Sequence, residues 1–98
     1  MRKQPKVVEA VPVNQPRPIV RIPSGQQLIT RVAVGVKVHV NESGVVNDAD
    51  VVEYGDDPLS PTLANAALLA ARNWTFAPPR VDDVPMASQL IIHFYFIP

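Results

Sequence analysis

The residues of this chain whose types could do chemistry are two histidines, two pairs of adjacent aspartates and one tryptophan close to a phenylalanine. His39 and His93 fall on the outward faces of strands expected to be neighbours, so they could share a metal ion. Two imidazoles without a third ligand fall short of a metal site, and a solvated cross-strand pair is the plainer reading. Asp56-Asp57 and Asp82-Asp83 lack the alternating ligand spacing of a calcium loop and read as solvated turn residues. Trp74 and Phe76 could stack on a ligand, but such aromatics more often pack, here by locking a helix end onto a sheet. No serine sits near either histidine in a readable nucleophile motif, no glycine-rich loop is present to cradle phosphate, and no paired carboxylates lie on a rigid element. With no cysteine, thiolate catalysis, disulfides and cysteine-based zinc sites are also excluded. The chain does not read as an enzyme, and no cofactor or metal is expected.

The elements that would position these residues are easier to read. From Arg31 to Val40 every even position is valine, the period-two signature of a half-buried strand. Asn41-Glu42-Ser43-Gly44 reads as a hairpin turn with Gly44 at positive φ. The returning strand, Val45 to Tyr54, carries a misfit of parity between Val46 and Ala49/Val51, which a bulge near Asn47-Asp48 would repair. After a loop from Gly55 to Pro58, Ser60-Pro61 reads as a serine N-cap followed by proline at the first helical position. Leu63, Ala66, Ala67, Ala70 and Trp74 then recur at helical spacing, and Asn73 and the prolines at 78 and 79 end the helix. Arg80 to Ala87 reads as a second loop. The last strand, Leu90 to Ile97, puts Leu90, Ile92, Phe94 and Phe96 on one face and Gln89, Ile91, His93, Tyr95 and Ile97 on the other.

These pieces predict an α+β fold: a three-stranded antiparallel sheet of order two-one-three with a helix packed on one face, in the sequence strand-strand-helix-strand. The last strand is then an edge that is apolar on both faces, a kind of edge that natural sheets usually avoid or cover.

The chain of 98 residues fits one small domain, and its 47 % hydrophobic content suits a folded protein. No run of about 18 apolar residues spans a membrane, and Met1-Arg2-Lys3-Gln4 does not open a signal peptide. The lack of cysteine suits an oxidising compartment without requiring one. The neutral net charge hides an asymmetry. Residues 1–31 hold six cations (Arg2, Lys3, Lys6, Arg17, Arg21 and Arg31) against Glu9, a net +5, whereas residues 32–98 hold three against eight acids, a net −5. Five of the eleven prolines also lie in the first part. The chain therefore divides into a basic, proline-rich arm (1–31), expected to be extended, and an acidic body (32–98). Ile19-Val20, Ile22 and Leu28-Ile29 could dock a short strand of the arm onto the body, with Pro23-Ser24-Gly25 forcing a turn.

Val36-x-Val38-x-Val40, Gly44 with Val46, Ala66-Ala67, Trp74-x-Phe76-x-Pro78, Pro85 and the alternating strand to Phe96 stand in an order and spacing that resembles the TonB C-terminal domain family. The resemblance covers roughly Val32 to Phe96, and Trp74-x-Phe76-x-Pro78 after an alanine-rich helix is its most specific part. The sequence departs from the family where Ile22-Pro23-Ser24-Gly25 stands in place of a Tyr-Pro motif and short helix, and where Glu53-Tyr54-Gly55 replaces the usual Ser-Gly. The resemblance implies the periplasmic domain of an energy transducer, held in the inner membrane by an anchor outside this chain and coupled there to a proton-channel complex. The partner it implies is the TonB-box peptide of an outer-membrane receptor, which adds as a strand along Gln89 to Ile97. An envelope scaffold using the same edge, or a homodimer across it, is the alternative. Nucleic-acid binding is not expected, since the body is acidic and the arm lacks aromatic-basic interleaving. Membrane contact by this chain is not expected either.

Overall fold

The computed structural model of the protein describes residues 6–98. In chain order its elements are β1 (Val7–Val8), β2 (Val11–Asn14), β3 (Val32–Val40), β4 (Val46–Glu53), α1 (Ser60–Arg72), β5 (Thr75–Ala77), β6 (Arg80–Val81), β7 (Val84–Pro85) and β8 (Ser88–Phe96). These eight strands form three separate antiparallel sheets, of orders β1-β6-β7, β2-β5 and β4-β3-β8. This corrects the expected fold class: the molecule is a small, mostly β protein with one short helix, not a single three-stranded sheet with a packed helix. The reason lies in the arm and in the segment after the helix. Val7, Val8 and Val11 pair with Val81, Arg80 and Ala77, so the arm contributes strands. Pro12 is tolerated in β2 because an edge strand can spare an N–H. The segment expected as a loop folds as the β6–β7 hairpin, with Asp82 (φ 51°) and Asp83 (φ 67°) both left-handed, as a type I′ turn requires.

The core lies between the largest sheet and α1. Val32, Val34, Val36, Val38 and Val40 are each at most 2 % exposed, and burying a valine contributes roughly 1.5–3 kcal/mol. Leu63, Ala67 and Ala71 of α1 close over them, the two alanines allowing a close approach. In β4 the register against β3 steps from His39↔Asp48 to Val40↔Val46, leaving Asn47 as the extra residue, where the parity misfit places a bulge. A second step, from Gly35↔Glu53 to Val36↔Val51, leaves Val52 extra and is not foreshadowed by the alternation. The ladder between β3 and β8 runs from Val32↔Phe96 to Val40↔Ser88 with no step at all.

The helix start also differs from expectation. Leu59 is the N-cap, Ser60 is the first helical residue, and no side chain caps from the N-cap position. Asp57 holds this corner instead. Its carboxylate accepts from Leu59 N (2.9 Å) and its carbonyl from Ser60 N (2.8 Å). Ser60 is thereby drawn into the core, 1 % exposed, with its Oγ lacking a hydrogen-bond partner among the described residues. A buried hydroxyl of this kind costs about 1–3 kcal/mol. Ser60→Ala is therefore expected to raise stability by about 1 kcal/mol, read as a higher denaturant midpoint at unchanged slope. A lower midpoint would mean that the hydroxyl is satisfied in solution.

The Asn41–Gly44 turn is tied to the segment after the helix. Asn41 Oδ1 accepts from Ser43 N (2.9 Å) and Val45 N (3.0 Å). Phe76 N donates to Gly44 O (2.9 Å), and Val45 bridges Thr75. Gly44 has φ +83°, and a Cβ there would lie 1.8 Å from the Phe76 carbonyl oxygen, so only glycine fits.

Candidate functional site

The largest sheet has two edges, β4 and β8, and they differ in chemistry. On β4, Asp48, Asp50 and Glu53 stand opposite His39, Lys37 and Gly35, and two bulges break the strand's outline. Acidic side chains and bulges are the devices by which proteins blunt an edge. On β8 there is no bulge, and its nine residues (SQLIIHFYF) include no aspartate, glutamate, lysine or arginine. Among the described residues β8 pairs with β3 alone, so its outer main-chain groups face no other strand.

The residues expected as a strand acceptor fall along this edge as follows. Ile92 and Phe94 are buried, while Leu90 and Phe96 are half-buried. The Trp74 ring meets Phe94 edge-on, with centroids 5.6 Å apart, and lies 6.1 Å from Phe76. Gln89, Ile91, His93 and Tyr95 are exposed on the far face. Ile97 is exposed and lies one residue past the end of β8, which closes at Phe96. The Arg31 guanidinium sits 4.6 Å over the Tyr95 ring, a cation–π contact of about 0.5–1 kcal/mol at an exposed site. It fixes the ring beside the end of the strand.

The two histidines do not meet. His39 stands opposite Gln89, whereas His93 stands opposite Gly35, four positions along the same strand pair. At about 3.3 Å per residue that separation excludes a shared ion. His39 faces Asp48 and Gln89 at the rim of a polar cavity of about 690 Å³. No group of three or more histidine, cysteine, aspartate or glutamate side chains able to hold a metal occurs among the described residues. The aspartate pairs are used in turns: Asp82 Oδ1 accepts from Lys6 N (3.0 Å), and Asp57 holds the helix start. Trp74 is a packing residue whose Nε1 donates to the Pro16 carbonyl (3.1 Å), which fastens the arm across the helix end.

No protein-family model matches this chain, and no curated protein matches it. No helix among the described residues is long and apolar enough to cross a membrane.

Sequence reasoning gives the arm no part of a site beyond a short docked strand. Residues 19–29 form no strand; Val20 and Leu28 instead pack against the core, with a turn between them. That turn is closed by Gln26 N donating to Pro23 O (3.1 Å), with Gly25 at φ +83°, the geometry of a type II turn. Between this segment and Tyr95, Phe96 and Ile97 runs a groove of about 950 Å³, floored by Leu63. The signal for it is the apolar spacing Val20, Ile22, Leu28 and Ile29 on either side of Pro23-Ser24-Gly25.

Proposed function

We propose that this chain is a protein-binding module that accepts an extended peptide as an added strand along β8, in the manner of a TonB-like energy transducer. On this reading the protein works in the periplasm. Its peptide partner is the TonB box of an outer-membrane receptor, and the full-length protein is coupled to a proton-channel complex of the inner membrane. One observation carries the binding role: the unbroken nine-pair register of β8, set beside the twice-bulged, acidic β4 at the other edge. A flat edge with free main-chain groups is a template for strand addition, in which the backbone supplies affinity and alternate side chains supply selectivity. The receptor, the compartment and the coupling are carried by the sequence resemblance from Val32 to Phe96.

Each main-chain hydrogen bond contributes about 0.5–1.5 kcal/mol net, so a strand of about six residues lands near micromolar affinity. A contact of that strength can transmit a load and still release.

The test is an amide chemical-shift titration with a TonB-box-like peptide at two protein concentrations. Saturable shifts along Gln89 to Ile97, with α1 still and no dependence on protein concentration, are the expected result. Shifts confined to the arm would sink the edge-strand reading. Broadening of β8 that grows with protein concentration and does not respond to peptide would show the edge paired with a second copy.

A further inference from the structure

We propose that arm residues Val20 to Ile29 and the end of β8 together form a socket for one apolar side chain of the added peptide, next to an acidic residue of that peptide. This rests on β8 being the peptide's track.

The socket continues the edge. Tyr95, Phe96 and Ile97 belong both to the acceptor strand and to the wall of the groove, so a peptide that follows β8 past Phe96 enters the groove directly. Its lining is apolar where it is deep: Leu63 is 1 % exposed, and Val20, Leu28 and Phe96 are half-buried. Its volume of about 950 Å³ lies within the range of roughly 300–1,000 Å³ typical of ligand sites. The outer wall is held at two points. The Pro23–Gln26 turn closes on itself, and Ile29 N donates to Asp57 Oδ2 (3.4 Å), which ties the segment to the start of α1.

Charge decides the second part. No aspartate, glutamate, lysine, arginine or histidine side chain lines the groove. Arg31 sits over Tyr95 at the mouth, whereas Arg21 lines a separate hollow beside Thr62, Asn65 and Ala66 of α1. The Asp57 carboxylate, which touches the groove wall at Ile29 N, also accepts from Leu59 N. The Arg31 guanidinium at the mouth of an apolar floor favours an apolar anchor beside a carboxylate and disfavours one beside a lysine.

The experiment uses the full chain and a capped peptide of about six residues alternating threonine and valine, the minimum for a strand. It is extended at its N-terminus or its C-terminus by leucine and aspartate, by leucine and lysine, or by two serines. The leucine–aspartate extension at one of the two ends is expected to tighten Kd about tenfold over the serine control, with new shifts at residues 24–29. Leu28→Ala is expected to cut that gain to about threefold or less while the serine control keeps its Kd within about twofold, which also shows that the variant folds. Arg31→Gln is expected to erase the difference between the aspartate and lysine forms. The socket is overturned if the leucine extension gains nothing, gains equally at both ends, or keeps its gain in Leu28→Ala. If the serine control moves no amide of β8, strand addition itself fails; if it moves β8 and leucine adds nothing, the socket alone fails.

Discussion

Gly44→Ala is expected to destabilise the protein by about 3 kcal/mol or more, summing a left-handed backbone penalty of about 1–3 kcal/mol and an overpacking penalty of similar size. The backbone term follows from φ +83°, and the steric term from a Cβ that would stand 1.8 Å from the Phe76 carbonyl oxygen. Because that oxygen belongs to backbone in β5, no rotamer change relieves the clash. Either the hairpin turn or β5 must move, and the Phe76 N to Gly44 O hydrogen bond goes with it. For a domain of this size the thermal midpoint should fall by about 15 °C. Gly25→Ala is the internal control, since Gly25 has the same φ of +83° but nothing within 4 Å of the added Cβ. It should cost only the backbone term, about 1 kcal/mol. Equal midpoints for the two variants would refute the claim that β5 is clamped onto the turn.

Trp74→Ala comes next, at about 3 kcal/mol, the low end of the usual range for removing a large aromatic side chain because this ring is only half-buried. Two losses are combined in it: the packing of the indole against Phe94 and Phe76, and the hydrogen bond from Nε1 to the Pro16 carbonyl. Trp74→Phe separates them, because phenylalanine keeps an aromatic ring and removes the donor. It should cost about 1 kcal/mol. The local readout is hydrogen exchange. In Trp74→Phe the amides of β2 should exchange faster relative to those of β3, since the arm has lost a fastening while the valine core has not. Unchanged protection of β2 would mean that the strand pairing alone holds the arm in place.

How much of this was legible in the sequence depends on how local the cause is. The valine run of β3 and the alternation of β8 announce themselves, because burying one face of a strand imposes a period of two on the sequence. The bulge at Asn47 is legible for the same reason, since it is a fault in that period. The bulge at Val52 is not, because Val51 and Val52 are both valine and either could face inward. Ser60-Pro61 looks like a capped helix start, yet the corner is held by Asp57, three residues earlier, through bonds that no spacing rule singles out. The two smaller sheets are the largest surprise. Their strands are two to four residues long, too short to show a period, and the arm strands β1 and β2 pair with segments more than sixty residues away in the chain. The edge of β8 as a candidate site is visible from its residues, whereas the groove beside it depends on where the arm comes to rest.

That resting place has a mechanical meaning. The arm runs antiparallel to the segment after the helix, with Val7 beside Val81 near the hairpin tip and Asn14 beside Thr75 near the sheet. A tension entering at Lys6 and opposed at β8 is directed along these strands and not across them. The rungs of both ladders, together with the Lys6–Asp82 pair of hydrogen bonds, are then strained simultaneously instead of being peeled one at a time. Loaded in this way, the molecule, 65 Å along its longest axis, would yield as a shear joint, governed by its unfolding rate under load more than by its equilibrium stability.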